Sequence, residues 1–125
     1  MTATATLGPI VAATDFSAPA RHAADRAVRL ARETGAPLTL LHVLSGGAMQ
    51  ELRQWLGAAH PMEEQLHADA DQQLGALAAT LQPTHAVSIR AVHATGAVLD
   101  EIGRAADALD ASLLVMGARG ARSDE

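Results

Sequence analysis

The residues best placed to do chemistry are two glycines near the end of the chain, Gly117 and Gly120 in "LLVMGARG". They directly follow an apolar run, and glycines at such a turn let backbone amides come close to a phosphate. Loops of this kind normally open a helix whose N-terminus strengthens the field around the anion. Asp15, at the end of another apolar run in "PIVAATDFS", is an acceptor for a ribose hydroxyl or an amino group, and equally a residue suited to helix entry. This chemistry is that of binding. Ser17 and Ser45 have no assignable histidine base, so no nucleophilic set of serine, histidine and aspartate can be placed.

Other candidates carry less. Asp15 as a phosphoacceptor would want an acidic cluster and a lysine beside it, and the sequence supplies neither. "SGG" at Ser45–Gly47 has the look of a phosphate loop but lacks the elements that should follow it, so it reads as an ordinary loop. Glu63, His67 and Asp71 fall at i, i+4 and i+8 and read as a solvated polar helix face, not a metal site. His42, inside an apolar run, reads as a packed histidine bonded through one ring nitrogen.

Composition narrows the field further. The formal charge is −5, and all nine basic residues are arginine, so a basic nucleic-acid footprint is not expected. Without lysine there is neither a lysine phosphate loop of the G-x-x-x-x-G-K-[ST] type nor a Schiff base. Without cysteine there is neither a disulfide nor a thiolate metal site. No apolar run approaches the roughly 20 residues of a membrane span, and no signal-type leader is visible, so the cytoplasm is the expected compartment. A length of 125 residues suits one domain, residues 1–125. One Trp, one Phe and no Tyr leave its core to Ala, Leu, Val and Ile.

The elements that must position these residues alternate along the chain. "PIVAATDFS" reads as a strand covered on both faces, and Ser17 as the N-cap of a helix with Pro19 in its first turn. Gly35 stops that helix and Pro37 prevents its continuation. Leu38–Leu44 is a second buried strand. A short helix precedes Pro61 and a longer one runs from about Met62 to Leu81. Ala86–His93 alternates apolar and polar residues as an edge strand does. A helix in "TGAVLDEIGRAADALD" presents Val98, Leu99, Ile102, Ala105, Ala106 and Leu109 on one face, and Ser112–Gly117 closes as a fully buried strand. This order implies right-handed crossovers and a parallel sheet with helices on both faces. Ligands of such sheets lie beyond the C-terminal strand ends, where Asp15, Val43, Ser45, Gly117 and Gly120 gather.

Taken together, "IVAATDFSAPARHAADRAVRLA", "LTLLHVL" and "ASLLVMGARG" resemble the first, second and fourth strand regions of the universal stress protein family. The resemblance covers the chain up to Gly120 and implies a three-layer, doubly wound α/β fold with strand order 3-2-1-4-5. The ATP-binding branch of that family carries G-x2-G-x9-G-[ST]. Transferred onto this sequence, the resemblance implies ATP, accompanied by Mg2+, as the ligand. Ala13, Thr14 and Asp15 would lie at the adenosine end, Val43 in the adenine wall, and Met116, Gly117 and Gly120 against adenine, ribose or phosphate.

The sequence departs from the family pattern after Gly120, where five residues remain. The nine-residue spacer, the second Gly-Ser/Thr, the last helix and the fifth strand have no counterpart. The expectation is therefore a C-terminally incomplete domain of strand order 3-2-1-4 whose last strand is an exposed apolar edge and whose ATP binding is weakened. The resemblance implies a nucleotide-binding regulator in the stress response, working as a homodimer or other oligomer, with at most slow ATP hydrolysis. The other reading is a non-nucleotide interaction module that recruits a partner or a second copy through its open sheet edge.

Overall fold

A computed structural model describes residues 8–57, 61–85 and 87–117 of the chain. The elements run β1 (Ile10–Ala13), α1 (Ala18–Thr34), β2 (Leu38–Ser45), α2 (Gly46–Leu56), α3 (Met62–His85), β3 (Ile89–Gly96), α4 (Val98–Ala108) and β4 (Leu113–Met116). The four strands form one parallel sheet in the order β3-β2-β1-β4. The chain thus winds outward from β1 through β2 to β3, then crosses back to place β4 on the other side of β1. This is the doubly wound α/β architecture expected from the sequence, with a switch of winding direction between β1 and β4.

Side chains alternate between two cores. Ile10, Ala12, Leu38 and Leu40 point to one face, where they meet Ala24, Ala27, Val28 and Ala31 of α1 and Leu74, Leu77 and Leu81 of α3. Val11 and Leu41 point to the other face, against Ile102, Ala105 and Leu109 around α4. A parallel strand covered on both faces must be apolar at consecutive positions, which explains the unbroken runs of β1 and β2.

Helix α1 begins and ends where its sequence says it should. Ser17 caps it, its hydroxyl accepting from the Ala20 N–H at 3.3 Å. Gly35 ends it in the left-handed conformation with φ 76°, donating its own N–H to the Ala31 carbonyl. The buried face of α1 is almost entirely alanine, so the helix axis can approach the sheet closely.

Four sequence expectations are corrected. "SGG" is not a loop: Ser45 caps α2, accepting from the Ala48 N–H, and both glycines lie in the first helical turn. Helix α3 continues one turn past Leu81, its last buried core residue, to His85. Strand β3 starts at Ile89 and ends at Gly96, because pairing with Leu38–Ser45 sets its register. The face of α4 is narrower than expected, and Leu99 is 73% exposed. Ile102, Ala105 and Leu109 form the stripe that reaches the sheet, and Leu99 is rotated off it.

Strand β4 also differs from a fully buried strand. It pairs only with β1 among the described residues, and Leu114 and Met116 are exposed, as the alternative expectation of an open edge had it. Helix α2 buries only Met49 and leaves Trp55 84% exposed. No helix among the described residues is long and apolar enough to cross a membrane.

Leu40 is fully buried at the centre of the larger core. Leu40→Ala is expected to lower unfolding stability by about 2–5 kcal/mol, read as a lower denaturant midpoint at unchanged slope.

Candidate functional site

The turn from β1 into α1 is built from side chains that bond their own backbone. The Thr14 N–H extends the sheet by donating to the Leu41 carbonyl at 2.8 Å. Its hydroxyl oxygen accepts from the Phe16 N–H at 3.0 Å, and Asp15 Oδ1 accepts from the Ser17 N–H at 2.9 Å. Threonine and aspartate favour such turns because a short side chain can stand in for a backbone acceptor. Between them Phe16 has φ 65°, a left-handed conformation that costs a bulky residue energy. Its ring repays this by packing against the core formed by α1, α3 and the sheet.

This turn forms one wall of a cavity of about 350 Å3 at the C-terminal ends of the strands. Ala13, Thr14 and Asp15 line it from the β1 end, Leu41 and Val43 from β2, Val98 and Ile102 from α4, and Met116 and Gly117 from the β4 end. The volume falls at the lower end of the roughly 300–1,000 Å3 typical of small-molecule sites. Its walls are mostly apolar, and Thr14 and Asp15 supply the polar side chains. Such a lining suits a flat apolar group held in orientation by one acceptor. No arginine reaches it among the described residues.

Of the residues singled out in the sequence, Ala13, Thr14, Asp15, Val43, Met116 and Gly117 therefore lie together. Gly120 falls outside the described residues, as does the rest of the loop after Gly117. Ser45 is not in the lining, being occupied as the cap of α2. Sequence reasoning missed Val98 and Ile102. The signal was available in the topology, since the helix that returns from β3 across the second face must begin at the same end of the sheet.

Gly117 has a role the sequence did not disclose. A Cβ placed there would lie 2.6 Å from the Ala20 nitrogen and 2.7 Å from its Cα, inside the first turn of α1. Glycine is required where the end of β4 presses on the backbone of α1, independent of any ligand. A larger groove of about 860 Å3 runs along α1 and past Val115 and Met116, lined by His22, Arg26, Arg29 and Glu33. It is an open channel beside the edge of β4 that has no partner strand among the described residues, away from the acceptors of the turn.

The three polar residues of α3 do not form a shared solvated face. Glu63 takes a two-pronged hydrogen bond from Arg53 of α2, at 2.8 and 2.7 Å. The Arg53 bond and charge hold its carboxyl below the usual carboxylate range. Asp71 instead meets the His93 ring at 3.0 Å. Among the described residues no group of three or more His, Cys, Asp or Glu side chains is arranged to hold a metal ion.

A cavity at the switch point of a doubly wound parallel sheet is where open α/β sheets bind their ligands. The universal stress protein family model matches residues 6–124, and the chain belongs to that family. Among curated proteins none matches it in sequence. Solved structures similar to it share the fold. A universal stress protein in complex with cAMP is 22% identical with a TM-score of 0.66, over 87% of this chain and 71% of that one. A universal stress family protein from Burkholderia pseudomallei is 23% identical with a TM-score of 0.71, over 88% and 80%. The universal stress protein UspA from Lactobacillus plantarum is 24% identical with a TM-score of 0.62, over 92% and 79%.

Gly117→Ala is expected to cost about 1–3 kcal/mol through the clash with α1. Gly103→Ala, on α4 where nothing lies within 4 Å of the added carbon, is expected to gain about 0.5–1 kcal/mol. Equal melting shifts for the two would refute the packing role given to Gly117.

Proposed function

We propose that this protein is a small nucleotide-binding regulator of the stress response, acting in the cytoplasm, with ATP and Mg2+ as its ligand. The observation that carries the reading is the convergence of Ala13, Thr14, Asp15, Val43, Met116 and Gly117 on one cavity at the switch point. Membership of the universal stress protein family supports it, as does the similar fold of a family member solved with cAMP. The apolar walls would take the adenine, and the Asp15 carboxylate, an acceptor with several lone pairs, would accept from the ribose or the amino group.

The described residues suit the nucleoside end of such a ligand. The phosphates would extend past Gly117. Mg2+ would come with the phosphates that bind it, apart from Asp15 at the nucleoside end. Among the described residues no cationic side chain lines the cavity, and binding is expected to be weak and hydrolysis at most slow. The chain acts as one domain and as a homodimer or other oligomer.

A second reading has its own observation. Leu114 and Met116 are 40% and 45% exposed on β4, which among the described residues pairs on one side only, and this favours a module that recruits a partner or a second copy. The two readings separate by calorimetry and by mass measured over a range of protein concentrations.

Titration with Mg2+ and ATP should give saturable heat, and Asp15→Ala should weaken binding at least about tenfold through loss of a charged hydrogen bond. Val43→Trp should abolish it by filling the adenine wall. Absence of heat at ~1 mM ATP from a chain shown to be folded would sink the nucleotide reading. A mass that rises with concentration would then favour the second.

A further inference from the structure

On the face of the sheet opposite Val43, two histidines stack. His42 of β2 and His93 of β3 are direct register partners, with ring centroids 5.3 Å apart and planes 17° from parallel. His42 is 9% exposed, and the His93 side chain is 12% exposed. His42 Nδ1 and His93 Nε2 are buried without a hydrogen-bond partner among the described residues. Parallel rings cannot aim these two nitrogens at one ion between them, so the pair is not a metal clamp. What an unpartnered ring nitrogen can take is a proton.

The surroundings of His42 are unequal. On one side stands His93, whose Nδ1 meets Asp71 at 3.0 Å and whose ring has His67 edge-on at 5.6 Å, both neighbours coming from α3. On the other side stands Phe16, its ring centroid 4.6 Å from that of His42, and beyond it the charge of Asp15. The buried side chains of α1, Ala20, Ala24, Ala27, Val28 and Ala31, bring no charge, and α2 buries only Met49. A proton on His42 is therefore repelled by His93 when that ring is charged, and attracted towards Phe16 and Asp15. An aromatic face and a carboxylate both favour a cation.

We propose that His42 is a proton-operated device that draws Asp15 away from the cavity. With the ring neutral, Phe16 is seated on it, and the Thr14–Ser17 turn holds Asp15 in the cavity wall. Once charged, His42 tilts away from His93 towards the turn, and Asp15 swings to pair with it. The turn is built to respond, because Phe16 holds a costly backbone conformation supported by its core packing and by the His42 ring against it. Acidification and any cavity ligand then compete for one carboxylate. The inference concerns the turn itself and holds whatever the cavity receives.

Burial, then the neighbouring His93, hold the His42 ring below its ordinary value of 6.5, with Asp15 acting in the opposite direction. The folded chain therefore binds fewer protons here than the unfolded one. The stability this gives is full above the unfolded value and is lost as the pH falls through it towards the lower folded value.

The test is a pH titration of the labelled chain by NMR from about pH 8 to about pH 5, following the His42 ring, the Asp15 carboxyl carbon and the Phe16 and Ser17 amides. The turn signals should move with the midpoint of His42, and in His42→Phe they should stay still over the same range. Turn signals that move unchanged in His42→Phe, or stay silent while His42 charges, overturn the proposal. If His42→Phe does not fold, His93→Phe serves: removing the like-charged neighbour should raise the midpoint of the turn, and an unmoved midpoint overturns it.

Discussion

A parallel strand that is hydrogen-bonded on both sides and closely covered on both faces favours apolar side chains at consecutive positions. β1 is that strand. It pairs with β2 and β4, and Ile10, Val11 and Ala12 are all but removed from solvent. The first residues able to do chemistry must therefore come where the strand ends, and Thr14 and Asp15 follow Ala13 directly. The same closeness dictates the alanine face of α1 and the glycine at 117, since both let backbone approach backbone. Site and core follow from one steric condition.

Much of this was written plainly in the sequence. The caps of α1, the two buried strands and the alternation of strand and helix are local signals, and local chemistry decides them. Less legible were features decided by distant partners. The ends of β3 depend on which residues of β2 they oppose, and the exposure of Leu99 depends on how α4 lies against Val11 and Leu41. Gly117 was noticed for its type, while its packing against Ala20 is invisible without the three-dimensional path of α1. The left-handed Phe16 and the histidine pair were equally hidden, because each exists only once the sheet has formed.

The family to which the chain belongs shares its fold across sequences that are less than a quarter identical. Such divergence is tolerable because the sheet asks only for apolar residues of the right size at each inward position. What the fold guarantees is a concave end with a winding switch. What individual chains supply is the chemistry placed there, here an acidic turn, apolar walls and, on the reverse face of the same strands, a titratable aromatic stack.

Trp55 has an optical consequence. It is the one tryptophan of a chain without tyrosine, and it stands on α2, in water, away from both cores. Its emission already belongs to a hydrated indole in the native state, so loss of the sheet changes its surroundings little. Intrinsic fluorescence will report the local motions of α2 and be nearly blind to global unfolding, leaving far-ultraviolet dichroism as the probe of cooperativity.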